Sequence, residues 1–355
     1  MKFAVCIPNY NYERFVVPAV RSAVTQGVDV EVVVRDNAST DGSVAAVKAL
    51  GLKNVSVQTN QCNVGYANNL DRTVRMSSAE AVVVLCADDL FRDGYLKAVS
   101  ALWKSLGGEA WKSTIVSTSN DVIDPDDGIT GAWGVNPSLW RPSDRDASLE
   151  AAVGAPVYRV RADELLKRCL LTMSNPFNMS TTAYPRALYD AVEGYGGGRT
   201  FNPDKWFHWR LLGAAEEAFF IDKPLGASRW HPNNQTAQQA ASGALKYLVD
   251  DYVSTFEVDA KLLSKAGLDR AEFEKRFVEY DIVRHGLATL AAGNRGKAAR
   301  TATFGQAVFP QHALRNSRWW ALKALLATGP VGEVVARAGY AWWRSRQGED
   351  KSRTP

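Results

Sequence analysis

The chain is poor in thiols and in imidazoles. Its four cysteines, Cys6, Cys62, Cys86 and Cys169, lie far apart in 355 residues and show no paired spacing. That favours a reducing, cytoplasmic compartment over a disulfide framework. Cys6 and Cys86 fall inside strand-like apolar runs, where a free thiol acts as a small hydrophobe. No apolar run reaches about 18 residues, so no membrane span is expected. Met1-Lys2-Phe3-Ala4-Val5 runs straight into a strand and does not read as a signal peptide. No internal repeat is visible. What is present is ordinary globular material, 46% hydrophobic and 23% charged, long enough for about two domains at 100–200 residues each.

Charge is unevenly placed. From Asn294 to the end the chain carries eleven Lys/Arg against three Asp/Glu, a net of +8. The whole chain is +4, so the first 293 residues carry −4. A mildly acidic body with a basic end points to an anionic surface partner.

The first third alternates strand and helix patterns. Strands are expected at residues 3–7, 30–34, 54–58 and 81–85, with a fifth at 115–118. Helices are expected at 17–26, with Pro18 in the first turn, at 42–50, capped by Ser39 or Asp41, and at 66–76 and 95–106. This alternation with short turns means βαβ units and a parallel sheet covered by helices on both faces. Residues 120–156 are rich in Asp, Gly, Pro and Ser and read as a long loop. Helix resumes at 162–171, followed by a strand at 179–183, a helix at 204–212 and short strands at 218–221 and 227–230. From about 238 onward the pattern is helical.

The most informative feature is an acidic pair closing an apolar run, Ala81-Val82-Val83-Val84-Leu85-Cys86-Ala87-Asp88-Asp89. A run so uniformly apolar belongs to a strand buried on both faces. Carboxylates leaving water at its end are costly without a cation. Ligands of open parallel sheets bind outside the carboxyl ends of the strands. Asp88 and Asp89 therefore mark a site for a hard divalent cation, Mg²⁺ or Mn²⁺, held with substrate phosphates. Three other polar segments follow strand ends or open helices: Pro8-Asn9-Tyr10-Asn11, Asp36-Asn37-Ala38-Ser39-Thr40-Asp41 and Asn63-Val64-Gly65. Ser39, Asp41 and Gly42 are accounted for as ordinary turn and cap residues. Asp36 is not, since its carboxylate sits at the mouth of a strand, where it could accept from a base N–H. Gly65 could allow close backbone approach to a ligand.

In their order and spacing these four segments resemble the family 2 glycosyltransferases, the inverting group with the GT-A fold. The resemblance is strong over residues 1–106, weaker over 170–236 and absent from 237 on. It implies an α/β fold, GT-A-like (Rossmann-like), with a mostly parallel sheet flanked by helices and a helical C-terminal extension. It implies that Pro8 and Tyr10 form the base pocket, with Tyr10 stacking on the base, and that Asp36 binds the base edge. Asn63 would lie at the nucleotide, Asp88 at ribose or metal, and Asp89 on the metal. Cys86 departs from the family's acidic motif, and Asn68 replaces a residue that is often Arg.

The family's base follows a Gly-rich loop. Here Gly194-Tyr195-Gly196-Gly197-Gly198-Arg199 precedes Asn202-Pro203-Asp204. Asp204 matches the base, with Pro203 in place of the usual acid. Taken alone, Asp204 is a helix N-terminal acid offsetting the dipole. Inverting transfer needs a carboxylate within reach of the acceptor hydroxyl. Arg229-Trp230-His231-Pro232-Asn233-Asn234-Gln235-Thr236 resembles a later family segment, in which His231 could ligate the metal and Arg229 could meet phosphate. His208 reads as packing.

The expected organisation is a catalytic domain over 1–236, divided into a nucleotide-binding half (1–119) and an acceptor half (157–236). A basic helical extension follows over 237–355. The expected activity is metal-dependent transfer from a nucleotide sugar, UDP-linked by preference, to a hydroxyl of a cell-surface or lipid-linked glycan. Residues 331–342 are amphipathic, with Val331, Val334, Val335, Ala338 and Trp342 on one stripe. Trp with Lys/Arg suits a helix lying in an anionic membrane interface on its cytoplasmic side. Packing on the catalytic domain or on a second subunit suits it equally. No groove-reading motif supports nucleic acid as a partner. Two alternatives stand beside this reading: a non-catalytic nucleotide-sugar-binding scaffold at the membrane, and a sugar nucleotidyltransferase. The latter would want a Gly-rich basic loop that residues 8–12 lack.

Overall fold

A computed structural model describes residues 1–196, 202–232, 234 and 245–347. Gly197, Gly198 and Arg199 of the Gly-rich loop, Asn233, Gln235 and Thr236, and the tail from 348 lie outside the described residues. The chain divides into two compact units: residues 1–168 with 175–230, and residues 169–174 with 231–355.

The first unit is built on a ten-stranded sheet. Its parallel half runs β3 (Val55–Thr59), β2 (Val30–Asp36), β1 (Phe3–Asn9), β4 (Ala81–Val84). Phe3, Val5 and Ile7 point to one face, where α1 (Glu13–Val24) and α4 (Tyr95–Ser105) bury Val16, Val20, Leu96, Val99 and Trp103. Phe3 stacks on Trp103 with centroids 5.8 Å apart. Ala4 and Cys6 point the other way, and α3 (Tyr66–Val74) packs on β1 and β2 with Leu70 and Val74 buried. With both faces covered, the apolar runs of β1, β2 and β4 are explained.

The remaining strands are β5 (Leu90–Phe91), β6 (Thr114–Ile123), β7 (Ile129–Trp133), β8 (Val157–Arg161), β9 (Ala183–Pro185) and β10 (Glu217–Arg229). The sheet continues β4-β9-β6-β10-β5, with β7 on β6 and β8 on β10. Here the expectations need correction. Residues 120–156 are not one loop: β6 and β7 form a hairpin, and Ala147–Val153 is a helix with Asp146 as its N-cap. Trp140 is buried against Phe177 and Phe220, which anchors the segment. The two short strands at 218–221 and 227–230 are one strand, β10, whose pairing with β6 shifts register around Pro224. A β-bulge tolerates proline there. Residues 179–181 form a 3₁₀ turn ahead of β9.

The first helix begins a turn earlier than expected, at Glu13, which places Pro18 inside it. Its start is fixed by the Glu13 N–H donating to Asp41 Oδ2 at 2.9 Å. Gly42, rather than Ser39 or Asp41, is the N-cap of the helix Ser43–Lys48, although Asp41 Oδ1 still accepts from Ser43 N.

The second unit is helical. Leu290, Ala291, Ala298, Ala302, Leu322 and Ala336 form a core from the helices His285–Ala291, Arg295–Val308, Ser317–Ala327 and Pro330–Gln347. Tyr252, Phe277, Phe304 and Phe309 form an aromatic cluster with centroids 5.4–6.0 Å apart. No described helix is long and apolar enough to cross a membrane.

Candidate active site

Every strand of the parallel half ends at the same edge, and the polar segments meet there. The β1–α1 and β2–α2 turns (α2, Ser43–Lys48) are bound together. Asn9 Nδ2 donates to Asp36 Oδ1 at 2.8 Å, and Ser39 donates to Asp36 through both its backbone N (2.9 Å) and its hydroxyl. Asn11, at φ 57°, donates its N–H to Ser39 Oγ and accepts from Thr40 N. Asp36 is thus a buried carboxylate held in one orientation at the mouth of β2. Pro8 is buried in β1 beyond the last residue paired with β4, so its missing N–H costs that ladder nothing. Tyr10, immediately after the strand, is 44% exposed and presents its ring to solvent.

Behind Asp36 lies a ladder of buried amides. Asn60 Nδ2 donates to Asn37 Oδ1 and Asn69 Oδ1 at 3.0 and 2.8 Å, and Asn69 Nδ2 donates to Arg35 O. Asn37 also accepts from Val64 N and donates to Asn63 Oδ1, which accepts from Gly65 N. Asn63 therefore shapes the loop, and Gly65 adopts φ 82° at the entrance to α3. Asn37, Asn60 and Asn69 were not singled out from sequence. Their spacing carries no periodicity, and only the fold shows that their amides satisfy one another.

The acid pair lies in the turn after β4. One donor atom each of Cys86, Asp88 and Asp89 lies within 4.8 Å of the others. Asp88 and Asp89 are each only 8% exposed. Asp89 accepts from Ser180 Oγ (2.5 Å) and from Arg229 N (2.8 Å). Burial and the neighbouring Asp88 charge push its carboxyl up to about 8. Tyr12 hydrogen-bonds Asp88, and burial together with that charge raises its hydroxyl above the usual phenol range. Two carboxylates are thus forced together out of water with donors on one side, and a divalent cation offsets such a pair. The residues fit one: Asp88 and Asp89 offer hard oxygens. Cys86 suits such a hard cation poorly, because its sulfur is a soft donor.

Arg229 has a different place from the one expected. Its Nε donates to Asp88 O and its Nη1 to Asp124 O, both at 2.8 Å, and it pairs with Asp127 at 2.6 Å. Its guanidinium stacks over Phe15 at 4.8 Å. The side chain is 2% exposed. Arg229 is therefore the brace of the acid-bearing turn and does not reach out to phosphate.

Asp204 lies in the first turn of the helix Pro203–Ala214, with Pro203 at a position that needs no N–H. Asn175 Nδ2 donates to Asp204 Oδ2 at 3.0 Å. Asn175 Oδ1 faces His208 Nδ1 at 2.8 Å and accepts from Phe177 N. The imidazole must then carry its proton on Nδ1. His208 is fully buried, which lowers its pKa to about 3, and its Nε2 has no hydrogen-bond partner. It is more than packing: a neutral histidine orients the amide that holds Asp204. The Asp204 charge acts on Tyr66, whose hydroxyl lies 3.7 Å from Cys86 Sγ and also feels Asp88. Asp204 and Asp88 thus lie near a common tyrosine. Asp36 reaches the same sheet edge from the other side of β1. His231 is buried at the head of the second unit and is not among the clustered donors.

The sequence model of Glycosyl transferase family 2 matches residues 4–121. No curated protein matches the chain. The structure of S. aureus TarS 1–349 in complex with UDP-GlcNAc superposes with a TM-score of 0.62 at 19% identity, covering 99% of this chain and 93% of that one. The UDP complex and the uncomplexed form of the same protein superpose at 0.60 and 0.57, with the same identity and coverage. At that identity the likeness shows the fold, and it extends through the helical second unit. Family match and fold agree with the acid-bearing strand ends: residues 4–121 match the family 2 glycosyltransferases, and the chain has the GT-A fold of the glycosyltransferase structures it superposes on.

Proposed function

We propose that the protein transfers a sugar, with inversion, from a nucleoside-diphosphate sugar to an acceptor hydroxyl, with UDP as the carrier. The observation that carries this reading is the buried Asp88/Asp89 pair at the carboxyl edge of the sheet, with Asp88 and Asp204 both acting on Tyr66. That arrangement supports a base and a diphosphate site flanking one reacting carbon. Tyr10 offers an exposed ring for the base, and Asp36, held by Asn9 and Ser39, an acceptor for its N–H. TarS, the structural neighbour, was solved with UDP-GlcNAc and with UDP, which favours the uracil carrier here too.

Asp88 and Asp89 would hold Mn²⁺ or Mg²⁺. When bound, the cation offsets the charge developing on the departing diphosphate. The acceptor oxygen attacks the anomeric carbon, the bond from that carbon to the diphosphate oxygen breaks, and the acceptor's proton passes to Asp204. Asn175 fixes one oxygen of that carboxylate, and buried, neutral His208 fixes Asn175. The acceptor we favour is a cell-surface or lipid-linked glycan.

The test is turnover of UDP-sugars with Mn²⁺ by the native protein and by Asp204→Asn. The reading expects the variant to bind UDP and lose turnover. Tight UDP binding with no turnover in the native protein would instead favour a nucleotide-sugar scaffold, for which Pro203 in place of an acid is the supporting feature.

A further inference from the structure

The helix Pro330–Gln347 is turned the wrong way round for a helix in water. Its inward face is narrow. Ala336 is buried in the second unit's core, with Tyr340 packed beside it. Gly332 sits so close to Leu325 that a Cβ would lie 1.9 Å from its carbonyl oxygen. Arg337, on the border, donates to Ala291 O at 3.2 Å and closes the helix His285–Ala291. The outward face holds the apolar stripe. Val331, Val334, Val335 and Trp342 are 66, 64, 52 and 59% exposed, and Ala338 is exposed between them. A solvent-facing helix normally shows polar residues there, and a contiguous apolar strip marks a docking surface.

Charge decides what docks. From Asn294 onward the chain carries +8. Arg315, Arg318 and Lys323 of the same unit are exposed, as is the indole of Trp320. A second copy would set +8 against +8, which disfavours a homotypic contact. Acidic lipid headgroups complement it. Valines can enter the acyl boundary while arginines snorkel to phosphates. Tryptophan at one end of the stripe suits the headgroup level, since its ring is apolar and its N–H is polar. No described helix is long and apolar enough to cross a membrane, so the geometry is that of a helix lying in the interface plane. We propose that the outward stripe Val331, Val334, Val335, Ala338 and Trp342 docks this protein on an anionic membrane surface. This goes beyond the transfer reaction and does not depend on which sugar is moved.

The test is sedimentation of the full chain with vesicles of phosphatidylcholine, with and without phosphatidylglycerol, at low and physiological salt. Expected is binding to the phosphatidylglycerol vesicles that salt weakens, and little to pure phosphatidylcholine. The triple variant Val331→Ser/Val334→Ser/Val335→Ser keeps every charge and should lower the partition coefficient about tenfold or more. Trp342→Ala, a single and milder change, should lower it severalfold. Thermal melts confirm that both variants fold. The proposal is overturned if the protein ignores acidic vesicles or if both folded variants bind as well as the native chain. It is also overturned if light scattering shows a dimer that the triple variant dissolves, because the stripe then serves a second copy.

Discussion

The two units break the rule of apolar inside and polar outside in opposite directions. The first unit buries carboxylates, Asp36, Asp88 and Asp89, where a strand end could have been apolar. The second leaves valines and a tryptophan in water on a helix that could have been polar. Each inversion is costly alone, the one in desolvated charge, the other in exposed apolar area. Each is also local, since the surrounding cores are conventional. On the proposed readings each unit is built to meet a different partner: a cation and a phosphorylated ligand in one case, an apolar phase edged with charge in the other.

The comparison breaks most decisively at Asp204. Asp204→Asn should reduce turnover by about 10²–10⁴-fold, the range for loss of a general base, while UDP affinity by calorimetry stays near the native value. Equal turnover would remove the base from this carboxylate. Next is the packing that holds the second half of the sheet. Trp140→Ala should cost about 3–5 kcal/mol of stability, as large-to-small core changes do, because the ring is buried on Phe177 and Phe220. A denaturation midpoint unchanged by this substitution would contradict the anchoring role.

His208 sharpens the comparison through pH. Its imidazole sits near 6.5 in the unfolded chain and is lowered to about 3 by burial in the fold. Between those values the unfolded chain binds the extra proton. The contribution to stability is therefore full above pH 6.5 and is lost as pH falls toward 3. At pH 5 the loss should be about 2 kcal/mol. Urea unfolding of the native protein and of His208→Phe at pH 8 and pH 5 checks this, since other groups cancel in the difference. Parallel pH slopes would contradict it. The smallest effect belongs to the second unit. The triple serine variant of Val331, Val334 and Val335 should change stability by no more than about 0.5 kcal/mol, as surface substitutions do. A large loss of melting temperature would mean that the stripe is covered.

The parallel half of the fold was legible because its signals are redundant. Strands β1, β2 and β4 are largely apolar and stop at polar turns, β3 alternates, and the observed bounds of all four fall within a few residues of the expected ones. The antiparallel half was not. Asp124-Pro125-Asp126-Asp127-Gly128 reads as the start of a loop, yet it turns a hairpin, with Asp124 Oδ1 accepting from Asp126 N and Gly128 N. Pro224 and Gly226 lie between the two short strands expected, yet both belong to β10, where it shifts register against β6. Of the candidate site, the acids could be picked out because their neighbours are apolar. The amides of Asn37, Asn60 and Asn69, and the pairing of Asn175 with Asp204, could not, since their partners lie far away in sequence. Arg229 shows the same limit from the other side: a cation near a metal motif suggests phosphate, and only the fold shows its guanidinium spent on Asp88 O, Asp124 O and Asp127. For the helix Pro330–Gln347 the sequence defines two faces but not which of them turns inward.

The central claim is that Asp88 and Asp89 gather a cation on which the diphosphate rests. Calorimetric titration of UDP into the native protein and into Asp89→Ala, with and without Mn²⁺, tests it directly. The account predicts that Mn²⁺ tightens UDP binding to the native protein and leaves the variant's weaker binding unchanged. UDP affinity indifferent to Mn²⁺ in the native protein, or equally responsive in the variant, would contradict it.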